Sequence, residues 1–158
     1  MKNKIQVFLA NICLAVILSA PITAQAADES GKHPAFLNAL SDLRYARALI
    51  EKGEGDIAAR IHLDAAQLHI ENAINKIKQA SIDDGKALNE HPVIDEKVEK
   101  GDRLHNAVGI LQKSYTDVDE RETDPAPSVT ALKGEALKHI HEAANEIRAA
   151  IDDLERKK

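Results

Sequence analysis

The sequence predicts an all-α protein, an antiparallel up-down-up-down four-helix bundle built from two duplicated helical hairpins. Three observations lead there. Apolar residues recur at three- and four-residue steps along four separate segments, the period of one helical face. Alanine, the strongest helix former, is abundant while β-branched and aromatic runs are scarce; beyond residue 26 the only aromatics are Phe36, Tyr45 and Tyr115. Finally, the stretch from His69 to Ala80 returns seventy positions on as His139 to Ala150, with His, Ile, Ala, Asn, Ile and the final Ala coinciding. A second echo precedes each copy, Leu43–Lys52 against Leu104–Lys113, sixty-one positions apart.

Residues 1–26 read as a cleaved secretory signal. Lys2 and Lys4 precede an apolar run from Ile5 to Ala20, and Ala24-Gln25-Ala26 supplies a small-residue cleavage site. A retained anchor is the competing reading, but the run is shorter than the roughly 20 apolar residues a spanning helix needs. Cys13 lies inside the run without the small-residue context of a lipidation site. The expected location is therefore periplasmic or secreted, with no stable membrane insertion after cleavage. Cleavage removes the only cysteine, and losing Lys2 and Lys4 moves the formal net charge from −5 to −7. The remaining chain has no disulfide or thiolate chemistry. Its acidity argues against nucleic acid, which needs clustered Lys and Arg.

Residues 27–32 form a polar tail, and the bundle domain is expected over 33–158. Helix 1 opens at His33-Pro34, since proline at the first helical position loses no hydrogen bond. Its face is Phe36, Leu40, Leu43, Ala46/Arg47 and Ile50, and Gly53 and Gly55 end it. Asp56 suits the cap of helix 2, whose stripe is Leu63, Ala66, Ile70, Ala73, Ile77 and Ala80, a bundle seam by its spacing. The helix is expected to extend past Gly85 and to stop at His91-Pro92, because the residue before proline leaves the α region. Helix 3 begins between Asp95 and Asp102 and buries Leu104, Val108, Leu111, Tyr115 and Val118. The break at Asp124-Pro125-Ala126-Pro127 leads to helix 4, capped by Ser128, with the stripe Leu132, Ala136, Ile140, Ala143, Ile147, Ala150 and Leu154. In this order helices 2 and 4 run parallel and face each other diagonally across the core.

Seven histidines are the residues with chemistry to offer: His33, His62, His69, His91, His105, His139 and His141. Imidazole is the commonest metal ligand, and duplication sets His69 and His139 at matching heights on helices 2 and 4. Each lies one residue before a stripe isoleucine, so a rotation of about 100° puts it at the edge of the core. His62 and His69 share a face but lie roughly 10 Å apart along the axis; His139 and His141 point to nearly opposite sides. No His pair has the i, i+4 spacing of a helical metal motif. Any site therefore draws on several helices, and the expected metal ligands are His69, His139, His62 and His141 with Glu135 and Glu142. Glu135, His139, Glu142 and Glu146 run along one face of helix 4. The bland alternative is a solvated charged face with boundary histidines.

Other constellations are incomplete. The Glu-x-x-His pairs of a di-iron bundle are absent, and covalent c-type haem needs cysteines this chain lacks. Asp83-Asp84-Gly85-Lys86 has neither the alternating ligands of an EF-hand nor a phosphate loop's glycines. Asn75 and Asn145 are a matched pair that either bond between helices, as buried Asn does in coiled coils, or face solvent. No G-x-S-x-G turn or other activated nucleophile exists, so the chain reads as a binder and not an enzyme.

The stretches His33-Pro34-Ala35-Phe36-Leu37-Asn38-Ala39-Leu40-Ser41-Asp42-Leu43-Arg44 and Ile82-Asp83-Asp84-Gly85-Lys86 through His91-Pro92 resemble a group of small exported bacterial helical proteins of uncharacterised activity. More loosely, the repeated His-apolar-x-x-Ala segments are similar to those of periplasmic small metal-binding proteins, which are His-rich four-helix bundles. Here the histidines are sparser and do not repeat at close intervals. The first resemblance implies an exported helical fold, the second a metal ion held by histidines. The expected function is a periplasmic binding protein that sequesters a divalent transition metal, or alternatively haem, through interhelical histidines. The alternative is a structural or partner-binding bundle of the cell envelope, its partner an envelope protein.

Overall fold

A computed structural model describes residues 33–51, 57–82 and 102–157. They form four helices, α1 (Pro34–Glu51), α2 (Ile57–Ala80), α3 (Arg103–Arg121) and α4 (Pro127–Glu155), and among the described residues there is no strand. The expected signal (1–26), the tail (27–32), the Gly53, Gly55 and Asp56 end signals, the passage beyond Gly85 and His91-Pro92 all lie outside the described residues.

Each helix starts and stops for a local reason. Pro34 opens α1 as expected. α2 closes at Ala80, where both the backbone N–H and the hydroxyl of Ser81 donate to the Ile77 carbonyl, the hydroxyl at 2.9 Å. α4 departs from expectation. Pro127, not Ser128, leads it in, and the cap position is Ala126 with no side-chain cap. Asp124 Oδ1 takes the Ala126 N–H at 2.8 Å, and the fixed φ of Pro127 suits the first helical residue.

The α1 and α2 stripes are buried as spaced, except that Arg47 stays half-exposed while Arg44 turns in. α3 is rotated from the face expected: its buried line is Leu104, Ala107, Leu111, Ser114 and Val118, with Asp117 beside it. Tyr115 is 37 % exposed. A small Ser fits at the seam where a phenol does not, and the Asp117 carboxylate is answered on the surface by Lys113 (3.0 Å) and Arg121 (3.1 Å).

The neighbours differ from those expected. α2 makes its most extensive contacts with α4, and α1 packs on α3, while α2 and α3 share no interface among the described residues. Along α2 and α4 the paired positions run in opposite senses: His62 meets Glu146, His69 meets His139 and Lys76 meets Glu135. α2 and α4 therefore lie side by side in opposite directions, and the parallel, diagonal placement is corrected. Short connections make consecutive helices neighbours; residues 81–102 are too long to impose it.

The α2–α4 register explains the closeness of the pair. It sets Ala59, Ala66 and Ala73 level with Ala150, Ala143 and Ala136, all fully buried. Methyl groups at a seam allow helix axes to approach to the near end, about 8 Å, of the usual packing range. Leu63, Ile70, Ile77, Ile140 and Ile147 fill the core beside it.

The α1–α3 pair is held differently. His33, fully buried where α1 begins, bonds Glu122 at 3.1 Å where α3 ends. Lys113 reaches Asp42 at 2.5 Å. The Asp42 carboxylate, with Asp117 adding to it against some desolvation, holds the Lys113 ammonium above the ordinary lysine value of 10.5.

Ala143→Leu forces the seam apart and is expected to cost about 1–3 kcal/mol, read as a lower urea midpoint at unchanged slope. Because the Lys113 pKa is raised on folding, its stabilisation is complete below 10.5 and is lost as pH rises through the folded value. Thermal midpoints of the wild type and Lys113→Met are therefore expected to differ at about pH 8 and to converge toward about pH 12.

Candidate metal centre

Three side chains meet at the middle of the α2–α4 seam. His69 and His139 flank buried Ile70 and Ile140, so each ring stands at the rim of the alanine seam, on the side shared with the other helix. Their Nδ1 atoms lie 3.2 Å apart, with ring centroids at 5.5 Å and planes tilted by 35°. Glu142, one turn along α4 from His139, brings Oε2 to 3.1 Å from His69 Nδ1 and 3.4 Å from His139 Nδ1. The three ligand atoms thus form a nearly equilateral triangle, open to solvent on one side since all three residues are half-buried.

The electrostatics favour a positive occupant. A neutral imidazole nitrogen that does not carry the proton is an acceptor. Two Nδ1 atoms facing each other beside a carboxylate are three acceptors around one point unless a proton or a metal ion lies among them. Lys138 stands 3.9 Å from the other oxygen, Oε1, and leaves Oε2 to the histidines.

The remaining expected ligands lie elsewhere. His62 bonds Glu146 at 2.6 Å, with Asp153 at 3.8 Å from its other nitrogen. Glu135 pairs with Lys76 at 2.5 Å, and that hydrogen bond holds its carboxyl below the ordinary value of 4.5. His141 is exposed on the opposite flank of α4, in a groove against α3. Of the six residues expected as ligands, His69, His139 and Glu142 come together; His62, His141 and Glu135 do not. Asn145 is exposed and accepts from Arg148 at 2.9 Å, and Asn75 is exposed too, so no Asn pair bonds between the helices.

Sequence reasoning put Glu146 on the same face of helix 4 as His139 and counted His33 among the histidines, but missed their partners: the seam register brings Glu146 to His62, and no periodicity announces the burial of His33 against Glu122. The only signal for His33 was its place just before Pro34, at the point where α1 enters the bundle. Comparison of the chain with protein-family models, with curated proteins and with solved structures gives no match.

Proposed function

We propose that this chain is an exported helical-bundle protein that takes up one divalent transition-metal ion between α2 and α4, through His69 Nδ1, His139 Nδ1 and Glu142. The observation that carries the reading is the triangle of ligand atoms with edges of 3.1, 3.2 and 3.4 Å. Ligands about 2.0–2.1 Å from a tetrahedral ion stand about 3.3–3.4 Å from one another, close to these edges. Two imidazoles and one carboxylate suit Zn(II), Cu(II) or Ni(II), and a thiolate-seeking ion finds no sulfur here. The fourth position is left to water or to a ligand from solution. The leader read over residues 1–26 supports export, and among the described residues no helix is long and apolar enough to cross a membrane.

We further infer that the two hairpins are copies related by an internal two-fold, in an up-down-down-up order. His69 faces His139, its own counterpart seventy positions on. The α1–α3 pairs His33–Glu122 and Asp42–Lys113 likewise put Arg47 level with Val108, its counterpart sixty-one positions on. Both helix pairs thus cross at equivalent residues. Glu142 breaks the symmetry, since its counterpart is Asn72.

A second reading, a partner-binding bundle of the envelope with no ligand, is favoured by the exposed row Ile57, Ile61 and Leu68 along α2.

Calorimetric titration of the protein with Zn(II), Cu(II) and Ni(II) is expected to show uptake of one ion per chain. His69→Ala/His139→Ala is expected to abolish it, and Glu142→Gln to weaken it by roughly tenfold or more. His62→Ala/His141→Ala is expected to leave it unchanged. Uptake is expected to release protons to the buffer, because the ligating nitrogens bind the ion only when deprotonated. Absence of uptake by the unmodified protein overturns the metal reading and leaves the partner-binding one.

A further inference from the structure

The two hairpins differ in one place that the metal reading does not use. Between α3 and α4 lies a groove of about 420 Å³, within the range of small-ligand sites. Its floor is Leu111, Ile140 and Ala144, all buried, and its rim carries Tyr115, His141 and Arg148. At the matching described positions of the first hairpin the residues are different. Where Ala144 leaves space, Ile74 fills it, buried to 2 %. Where His141 stands, Glu71 accepts from Arg47 at 2.6 Å and struts α1 to α2 across the surface; the position matching Arg47 is Val108, so no strut can form. The groove is therefore open by substitution of a large side chain and removal of a bridging pair.

Its charge runs against that of the molecule. The formal net charge of the chain is −5, yet no carboxylate lines the groove. Arg148 spends one N–H on the neutral Asn145 amide and, among the described residues, has no carboxylate partner. A guanidinium with no carboxylate partner among the described residues, on the rim of an apolar trough, matches one kind of occupant. We propose that the α3–α4 groove binds a small amphipathic carboxylate. Its aliphatic or aryl body lies on Leu111, Ile140 and Ala144, and its head group is taken by Arg148, the planar fork suited to carboxylate. Tyr115 and His141 close the sides. This site lies on the flank of α4 away from His69 and His139, and it stands or falls independently of metal uptake.

The test uses 8-anilinonaphthalene-1-sulfonate as the fluorescent probe, displaced by octanoate, by 3-phenylpropionate or by octylamine. Saturable enhancement is expected, competed by the carboxylates and not by the amine, with the stronger of the two acids naming an aliphatic or an aryl body. Ala144→Ile, which restores the residue of the first hairpin, is expected to remove the binding at unchanged helical circular dichroism. Arg148→Gln, at a half-exposed position that does not challenge folding, is expected to weaken octanoate roughly tenfold. Absence of saturable binding overturns the proposal. So does octylamine competing as well as octanoate, or an affinity for octanoate that Arg148→Gln leaves unchanged.

Discussion

The close approach of α2 and α4 rests on alanine at every seventh position of both helices, and the rest of the molecule is arranged around it. A methyl group is the smallest side chain that keeps helix propensity, so an alanine seam brings two backbones together without the entropic cost of glycine. Closeness at the seam decides what the flanking residues do. Imidazole rings on helices packed through leucines would stand well apart. Across Ala66 and Ala143, level with each other and fully buried, His69 and His139 come within 3.2 Å. The histidine pair is a consequence of the seam and not an independent feature.

The same geometry sorts the polar residues along the pair into layers. Lys76 with Glu135, the His69–His139–Glu142 cluster, and His62 with Glu146 follow one another at about two-turn intervals. The outer layers join a basic to an acidic group and are complete by themselves. The middle layer is the exception, because its two basic members face each other and their shared acid comes from one helix alone. Under the proposed duplication, Asn72 stands where a second carboxylate would stand. On the α3–α4 flank, Ala144 stands where the matching position in α2 carries Ile74.

Much of the fold was legible in the sequence because a helical stripe is a local pattern. The stripes of α2 and α4 followed from the spacing of Ile and Ala, and the entry of α1 from Pro34. The rotation of α3 was not legible: Ser114 and Tyr115 occupy adjacent positions, and hydrophobicity favours the phenol while packing space favours the hydroxyl. The partnering of the helices was not legible either. Residues 81–102 relax the rule that consecutive helices are neighbours, and nothing in a stripe says which other stripe it meets. The repeat led to equal heights for His69 and His139 on a parallel pair; in the antiparallel pair only these two counterparts meet, while His62 and Lys76 face Glu146 and Glu135. Glu142 was separable from Glu135 only by the seam register, since both lie on the same face of α4.

The His69–His139 contact joins positions seventy residues apart that belong to different hairpins. Anything that bonded both would close a long loop in the chain, and closure of such a loop restricts the unfolded ensemble far more than the folded one. An ion held there would act as a reversible clasp: absent, the hairpins part under their own packing energy alone; present, they separate only after the clasp opens. Lifetime against proteolysis would then follow the ion content of the surroundings, without any change in the shape of the bundle.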